Sequence, residues 1–300
     1  MRFNSKVLIQ FSVAALAVAS IVGCGSGSAK PFSAATSSSS SNSSNNVASG
    51  TSTSTTALTT TTNSNAPGAS SSAPAPNDGT PQDATVIAGI QNQQGWQTCG
   101  GCGNVGGAGQ GPDYHLAQGI GNPSLSGHAA DFFVDGGPAY TGGYYFIEQP
   151  TLANPLTYLR YEFDLYIPGQ YASAPQALEF EVQQTVNGDT YNFAWQADYA
   201  SNGWTVFNYT TKTWEPTGIP LQRFAPDTWH HIVATFHAAG TQAIHDTLVV
   251  DGQIFNPNIS HQATHTGTRA EFTNGFQVDL NSASTPYHVF VDNMKMTVAD

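Results

Sequence analysis

The chain has 300 residues, only 9% of them charged, and a formal net charge of −12 at pH 7. Residues 84–300 alone hold eighteen Asp and Glu against five Lys and Arg. This balance excludes nucleic-acid binding, which needs clustered basic residues to neutralise phosphates, and it disfavours an anionic polysaccharide for the same reason. Composition divides the chain into residues 1–23, 24–83 and 84–300.

Residues 1–23 have the organisation of a secretory signal peptide. A short basic start containing Arg2 and Lys6 is followed by an apolar run from Val7 to Val22, as in the n-region and h-region of such signals. The run is short for a membrane-spanning helix, which needs ~20 predominantly apolar residues. We therefore expect an exported protein; the alternative is an uncleaved hydrophobic anchor.

The signal ends in Ile21-Val22-Gly23-Cys24, which resembles the lipobox of bacterial lipoproteins. The resemblance implies that residues 1–23 are removed and that the Cys24 sulfur carries a diacylglycerol. Gly25, in place of the Asp that retains such proteins at the inner membrane, implies the outer membrane where two membranes exist. The expected location is thus lipid-anchored in the cell envelope, on its periplasmic or cell-surface side.

Residues 24–83 have the composition of a linker. After the lipidated Cys24 they consist almost entirely of Ser, Thr, Asn, Ala, Gly and Pro, and Phe32 is their only aromatic residue. Such a segment cannot bury enough apolar surface to offset its ordering entropy. We expect a disordered spacer with a mean span on the order of 40–50 Å.

Residues 84–300 have the pattern of one all-β domain. Apolar and polar residues alternate with period two along 159–167, 178–183, 191–199 and 229–236, which is typical of strands with one buried face. The stretch 248–255 predicts a hairpin on an Asp-Gly turn. Many short strands separated by Gly and Pro indicate a sandwich or barrel.

Two motifs near the C-terminus carry a family resemblance. Trp229–Ala234 and Leu248–Gly252 resemble the Trp-His-x-Val…Val-Asp-Gly pairing of laminin G-like domains, and Tyr287–Val298 resembles the strand that commonly closes them. These domains belong to the concanavalin A-like lectin/glucanase superfamily. The resemblance implies an all-β, two-sheet antiparallel jelly-roll sandwich over residues 84–300. We expect Trp229, at the start of its strand, to lie in the core.

Calcium is a candidate cofactor, because laminin G-like domains commonly bind it through Asp and Asn oxygens. The acidic residues that could act as ligands are Asp251, Asp279 and Asp292, but the sequence contains no clustered calcium loop.

The most informative polar segment is Ala177–Gln184. Period-two alternation puts Glu179, Glu181 and Gln183 on the face opposite Leu178, Phe180 and Val182, where they would form the floor of a groove. The segment resembles the catalytic strand of laminarinase-type glucanases, but an amide stands where that family has its acid/base Glu. An amide cannot protonate a leaving oxygen, so binding without cleavage is favoured.

Further ligand-binding candidates flank this strand. Gln196 and Asp198 share the polar side of the 191–199 strand, whereas Trp195 belongs to its apolar side. Trp204 and Trp214 have polar neighbours, so we expect them to be exposed and able to stack on sugar rings.

Cys99 and Cys102 lie in a Gly-rich Cys-x-x-Cys segment. Such a pair can be a redox couple, half a zinc site or a small-loop disulfide. A zinc site needs four ligands and the chain has no second pair. An oxidising compartment favours the disulfide.

These observations predict a lipid-anchored, lectin-like module that binds a neutral carbohydrate or another surface ligand. The alternatives are a glycoside hydrolase or polysaccharide lyase using Glu179 and Glu181, and a structural or adhesive envelope protein that binds no glycan.

Overall fold

The computed structural model describes residues 79–99, 113–265 and 269–300. The predictions for the signal peptide, Cys24 and the linker lie outside these residues. So do Cys102 and the side chain of Cys99. Within the described part of the chain, no helix is long and apolar enough to cross a membrane.

The described residues form two antiparallel sheets. The nine-stranded sheet has, in order, β13 (Gln253–Phe255), β12 (Gln242–Val250), β11 (Trp229–Ala239), β6 (Tyr158–Tyr166), β17 (Tyr287–Ala299), β4 (Ala129–Asp135) and β3 (Asp113–Ile120). In addition, β1 (Thr85–Ala88) pairs with β17, and β14 (Ile259–Gln262) pairs with β12.

The eight-stranded sheet has the order β10 (Thr213–Pro220), β9 (Gly203–Asn208), β8 (Asp189–Asp198), β7 (Pro175–Val186), β16 (Glu271–Leu280), β5 (Gly142–Glu148) and β2 (Gln97–Cys99). β15 (Thr264–His265) pairs with β8. Two short 3₁₀ helices span Ile90–Asn92 and Gly169–Tyr171. The predicted all-β, two-sheet antiparallel jelly-roll sandwich is confirmed.

Aromatic rings join the two sheets in the core. Phe163 on β6 packs edge-on against Phe180 on β7, with ring centroids 5.2 Å apart, and Phe132 on β4 lies 4.8 Å from Phe276 on β16. All four rings are buried. Removing each from water contributes ~1.5–3 kcal/mol, so the alternating apolar positions of these strands hold the sheets together.

The Trp-His and Asp-Gly motifs meet at one edge of the nine-stranded sheet. The His230 Nδ1 atom lies 2.6 Å from Asp251 Oδ2, and the His231 amide donates to Asp251 Oδ1 at 2.8 Å. Asp251 and Gly252 both have positive φ angles, as a two-residue type I′ hairpin turn requires. The predicted hairpin is confirmed, and the turn carboxylate ties it to β11.

Trp229 departs from the prediction that it lies in the core. Its ring is half-buried on the outer side of the nine-stranded sheet, 5.3 Å from the Tyr166 ring. The prediction was wrong because Trp229 is in phase with His231, not with the buried pair Ile232 and Ala234.

Candidate polar binding face

The outer side of the eight-stranded sheet carries a continuous set of polar side chains, here called the polar face. Antiparallel register places Glu179 directly opposite Gln196 on β8 and Gln277 on β16. The residues that form this face are Tyr144, Phe146, Glu179, Glu181, Gln183, Asn192, Gln196, Thr205, Thr273, Gln277 and Asp279. All project away from the aromatic core, because side chains alternate across a strand.

Hydrogen bonds run across three strands of the polar face. The Thr205 hydroxyl donates to Gln196 Oε1 at 3.1 Å, and Gln196 Nε2 donates to Glu179 Oε1 at 2.7 Å. On the other side of Glu179, Gln277 Nε2 donates to Asp279 Oδ1 at 2.9 Å. These bonds fix the side chains in place, so the face is organised before any ligand arrives.

Glu179 and Asp279 form a buried carboxyl pair. Burial, followed by the adjacent Asp279 charge, raises the pKa of Glu179 well above its usual range. Burial raises the pKa of Asp279 to about 7, although hydrogen bonds from Glu179 and Gln277 oppose the rise. Near neutral pH the pair therefore holds a proton, which lets one carboxyl group donate to the other.

Glu181 lies two residues further along β7. Burial raises the pKa of its carboxyl group, and the nearby Tyr144 hydroxyl and Asn192 amide oppose the rise. Tyr144 reaches this position because Gly275 lies opposite Glu181 on β16. A Cβ atom at Gly275 would lie 2.5 Å from the Tyr144 hydroxyl oxygen, so glycine is required beneath the tyrosine ring.

Asn192 is 5% exposed, yet neither its amide nitrogen nor its amide oxygen has a hydrogen-bond partner of normal geometry among the described residues. It lies opposite Gln183 and beside Glu181 on the polar face. An unsatisfied buried amide costs about 1–3 kcal/mol. A ligand that supplied one donor and one acceptor at this point would recover that cost.

Aromatic rings border the polar face at the β9–β10 hairpin. The Phe207 ring lies 5.1 Å from the Trp214 ring and 4.9 Å from the Tyr209 ring. The Trp214 indole nitrogen is buried without a hydrogen-bond partner among the described residues. Lys212 Nζ lies 4.5 Å from the Tyr209 ring centroid. The site thus combines apolar ring surfaces with unsatisfied polar atoms.

The structure brings most of the predicted site residues together. Glu179, Glu181 and Gln183 share the face opposite Leu178, Phe180 and Val182, as predicted, and Gln196 is bonded to Glu179. Glu179 is only 6% exposed, so it is not part of an open groove floor. Asp198 lies at the end of β8, where it accepts from the Ala200 amide at 2.8 Å and forms a turn.

The prediction for Trp204 was wrong. This ring is 2% exposed and packs in the core, 6.2 Å from Trp195 and 6.1 Å from Phe180. Trp204 pairs in register with Ala197, whose side chain also faces the core. Its polar neighbours in sequence belong to a turn, and they do not determine which way the ring points. Trp214 is half-buried at the edge of the polar face.

Sequence reasoning did not name Asn192 or Tyr144 as site residues, and it named Asp279 only as a possible calcium ligand. Alternation places Asn192 on the same side of its strand as Gln196, which is the signal that could have included it. Asp279 required recognising β16, where Phe272, Phe276 and Val278 are buried and the alternate residues face outward. Tyr144 becomes part of the site only because β5 pairs with β16, which no local pattern shows.

The calcium candidates do not fit a metal site. Asp251 and Asp292 use their oxygens for hydrogen bonds to backbone amides and side chains, and Asp279 is paired with Glu179 and Gln277. Within the described residues, no three His, Cys, Asp or Glu side chains form a group that could hold a metal ion.

Fold and site together define a β-sandwich protein with a preorganised polar face on one sheet. No family model matches the chain, and no curated protein matches it. Similar solved structures include lectins and carbohydrate-binding modules. Peanut lectin is 8% identical, with 73% of this chain and 99% of that chain covered and a TM-score of 0.44.

Two further solved structures have similar folds. Arcelin-5, a lectin-like defence protein from Phaseolus vulgaris, is 9% identical over 72% of this chain and 98% of that chain, with a TM-score of 0.43. The carbohydrate-binding module CBM66 from Bacillus subtilis is 10% identical over 60% and 94%, with a TM-score of 0.33. A sialidase chain matches 62% of this chain, which spans only 17% of that protein's length. No residue role is transferred from any of them.

Proposed function

We propose that the polar face binds a neutral glycan and that the chain presents this face from a lipid anchor in the cell envelope. The observation that carries the binding proposal is Asn192 beside Glu181, a buried amide whose two polar groups have no hydrogen-bond partner of normal geometry among the described residues. Sugar hydroxyls donate and accept hydrogen bonds at one atom, so a single hydroxyl pair can satisfy both ends of an amide.

The charges of the polar face favour an uncharged ligand. Glu179, Glu181 and Asp279 face outward together, and their pKa values are raised chiefly by burial. An anionic chain would be repelled from such a face once these groups ionise. The half-buried Trp214 ring at its border, which packs against the buried Phe207 ring, supplies the apolar contact that the C–H face of a sugar ring requires.

The environment of Glu179 argues for binding rather than for hydrolysis. A nucleophile must be ionised and free to attack the anomeric carbon, but this carboxyl group accepts a hydrogen bond from Gln196, and burial beside Asp279 raises its pKa well above the usual range. Glu179 and Glu181 are also ~6.5–7 Å apart along the strand, whereas retaining glycosidases place their carboxyl groups ~5–5.5 Å apart.

The test is calorimetry of the full chain against neutral oligosaccharides built from glucose, mannose, galactose or xylose, with polygalacturonate as the anionic comparison. We expect binding of at least one neutral probe and its loss in Asn192→Ala. The matched control is Gln262→Ala, an exposed amide on β14 of the other sheet. Equal affinity of Asn192→Ala and the control, or preference for polygalacturonate, would overturn the proposal.

The anchoring half of the proposal is supported by the Ile21-Val22-Gly23-Cys24 sequence and by the polar composition that follows it. Its test is independent of glycan binding, because it measures acylation and membrane fractionation. Glycan binding without lipid attachment would support only the binding half of the proposal. Lipid attachment without glycan binding would support only the anchoring half.

A further inference from the structure

A band of rings crosses the outer side of the nine-stranded sheet, opposite the polar face. Trp229, Tyr166 and Phe290 occupy directly paired positions on β11, β6 and β17, with ring centroids 5.3 and 6.3 Å apart. A second row consists of His115, Phe133 and His288 on β3, β4 and β17, with ring centroids 4.6 and 4.4 Å apart. We call these six residues the aromatic band.

The aromatic band is unusual for its place in the fold. The outer side of an antiparallel sandwich sheet is normally polar, because it faces water. The six rings point away from the core between the sheets, and they lie side by side as one partly exposed surface. A contiguous ring surface of this kind is a candidate interaction site.

Asp131 lies between the two rows of the aromatic band, and one of its carboxyl oxygens has no hydrogen-bond partner among the described residues. It pairs in register with Phe290, and its Oδ2 atom lies 2.8 Å from His288 Nδ1. The residue is 8% exposed, and its Oδ1 atom is buried without a hydrogen-bond partner among the described residues. Burial raises the pKa of this carboxyl group, while His288 and His115 oppose the rise. The band therefore contains an acceptor that lacks a donor.

A cleft of about 710 Å³ adjoins the aromatic band. Its floor continues the same strands, since Asp164 follows Tyr166 at the next outward position of β6 and His231 follows Trp229 on β11. The residues that form this floor are Glu162, Asp164, His231, Asn293 and Lys295. The volume falls within the ~300–1,000 Å³ typical of small-molecule sites.

The charges of the cleft floor are compensated internally. Asp164 is bonded to His231 Nδ1 and to Asn293 Nδ2, each at 2.8 Å. Glu162 forms ion pairs with Arg160 and Lys295. Because each carboxylate already has a cationic or amide partner, the floor offers hydrogen-bonding groups without a large net charge.

The wall of the cleft is fixed by Asp292. A one-residue bulge in β17 after this position turns Asn293 outward, and the Asp292 carboxylate accepts from the Ser124 hydroxyl at 2.7 Å and the Ser126 hydroxyl at 2.6 Å. Burial opposes ionisation here, but these hydrogen bonds lower the pKa of Asp292 to about 2. The Gln91 amide also donates to Asp292, at 3.3 Å, so both walls are anchored to β17.

We propose that the aromatic band and the adjoining cleft form a second binding surface, for a neutral saccharide, on the side of the sandwich opposite the polar face. The rings stack on the C–H faces of sugar residues, and Asp131 Oδ1 accepts a hydrogen bond from a sugar hydroxyl. The cleft receives a further residue of the saccharide. The compensated floor disfavours a polyanion, and so does the Asp131 Oδ1 atom, an acceptor without a hydrogen-bond partner among the described residues. The surface shares no residue with the polar face, so its own binding does not depend on the proposed function, whereas bivalency rests on both surfaces.

A chain with two saccharide surfaces facing opposite ways is bivalent. A bivalent chain gains apparent affinity for a polymer because its second contact forms at high effective concentration. It also cross-links separate polymers, which a chain with one surface cannot do. Cross-linking therefore tests for the second surface, whereas binding alone would also be observed with one surface.

The experiment measures calorimetric stoichiometry of the full chain with the same neutral oligosaccharides, and turbidity with a branched neutral polysaccharide such as dextran. The variants are Trp229→Ala and Asp131→Asn in the aromatic band, and Asn192→Ala on the polar face. Ile254→Ser is the matched control, an exposed apolar residue on β13 of the same sheet. Thermal unfolding of each variant verifies folding, and Asp131→Asn keeps the size of the side chain should Trp229→Ala not fold.

We expect two equivalents of ligand per wild-type chain, one in each band variant, and a loss of turbidity in all three site variants. Weakening of the second site by about tenfold or more in Asp131→Asn would support the proposal, since each tenfold step corresponds to loss of one modest interaction.

Loss of binding in the band variants with Asn192→Ala unaffected would support this inference and overturn the proposed polar face. A single site that Asn192→Ala abolishes and the band variants leave intact would overturn this inference alone. Binding of a cationic oligolysine in place of every neutral probe would overturn it as well.

Discussion

The carboxyl group of Glu179 on β7 is buried beside that of Asp279 on β16, and each affects the pKa of the other. The two residues are diagonal neighbours on adjacent strands, since Glu179 pairs with Gln277 and Asp279 pairs with Ala177. Two buried carboxyl groups in this arrangement cannot both ionise without mutual repulsion. The polar face therefore has a protonation state that depends on pH near neutrality.

Asp279→Asn should remove part of the pH dependence of folding stability. Burial raises the pKa of Asp279 to about 7 from its unfolded value of 3.8, so the folded state binds more protons between these pH values. Its contribution to stability is fully present below pH ~4 and is lost as pH rises through ~7. We expect the variant to gain about 2–4 kcal/mol relative to wild type between pH 4 and pH 8.

Denaturant unfolding at a series of pH values measures this difference. Asp83→Asn is the control, because Asp83 is exposed and lies before the first strand. Parallel pH profiles for wild type and Asp279→Asn would contradict the assignment of a shared proton to the Glu179–Asp279 pair.

His245 should make folding stability fall as the pH drops, which is the opposite of the pH dependence expected from Asp279. Its ring is fully buried against Trp195 and Phe236, neither ring nitrogen has a hydrogen-bond partner of normal geometry among the described residues, and burial lowers the pKa of His245 to about 3. The unfolded state then binds more protons below pH ~6.5, so stability falls as pH drops, by about 1.4 kcal/mol per unit.

His245→Phe should remove this acid-dependent loss while keeping a ring in the aromatic cluster. Acid unfolding followed by circular dichroism should show a lower midpoint pH than in wild type, and His237→Gln serves as a partly exposed control on β11. An unchanged midpoint would mean that other groups cause the acid transition.

The sequence predicts the features of this fold that depend on residues close together in the chain better than those that depend on distant residues. Period-two alternation correctly placed Glu179, Glu181 and Gln183 on one face, because side-chain direction along a strand is a local property. Trp204 was assigned from its polar neighbours and Trp229 from its place at the start of a strand. Both predictions were wrong, since neither observation determines which side of the sheet a ring faces.

The Glu179–Asp279 pair lies beyond any local pattern. These residues are a hundred positions apart and meet only through the pairing of β7 with β16. Burial of the outer face was also unforeseen: rings such as Tyr144 shield it, and the glycine that admits that ring lies on a third strand. Sheet order therefore determines the chemistry of this site, and sheet order is a long-range property.

Glu181→Ala should weaken binding of a neutral oligosaccharide to the polar face by ~1–3 kcal/mol, because it removes a hydrogen-bond partner from a desolvated site. Glu181→Gln, which keeps a hydrogen-bonding group of the same size, should lose less. Calorimetry on the two variants and wild type measures the difference. Equal affinities in all three would exclude Glu181 from the site.

Glu179→Gln separates binding from catalysis. If the polar face only binds, no reducing ends should appear when wild type is incubated with the bound oligosaccharide, and the variant should retain binding within about tenfold. Release of reducing ends by wild type but not by Glu179→Gln would show that the protein is a hydrolase instead.

Cys24→Ser should abolish lipid attachment, because the thiol is the acceptor in a lipobox and a hydroxyl does not replace it. Labelling of cells with radioactive palmitate, followed by isolation of the chain, measures attachment. Cys99→Ser is the control and should keep its label. Label on the Cys24→Ser chain equal to that on wild type would end the lipoprotein proposal.

Cys99 and Cys102 should be bonded to each other in the exported protein. If the chain is an exported lipoprotein, as we propose, both residues meet an oxidising compartment and the lipid occupies Cys24, which leaves no third thiol in the chain. Intact mass after alkylation, with and without prior reduction, reports the state of both sulfurs. Two alkylated thiols without reduction would contradict this pairing.

The pairing of β1 with β17 has a mechanical consequence. Any tension applied to the chain ahead of Thr85 enters the domain through β1, which is held by four register pairs from Thr85↔Val298 to Ala88↔Lys295. Three of its four side chains are exposed, and Ile87 is the one that packs against the core. Separating β1 from β17 would lengthen the chain ahead of the sandwich by ~13 Å. It would leave the order of the other strands unchanged, because β1 lies off the path that joins them.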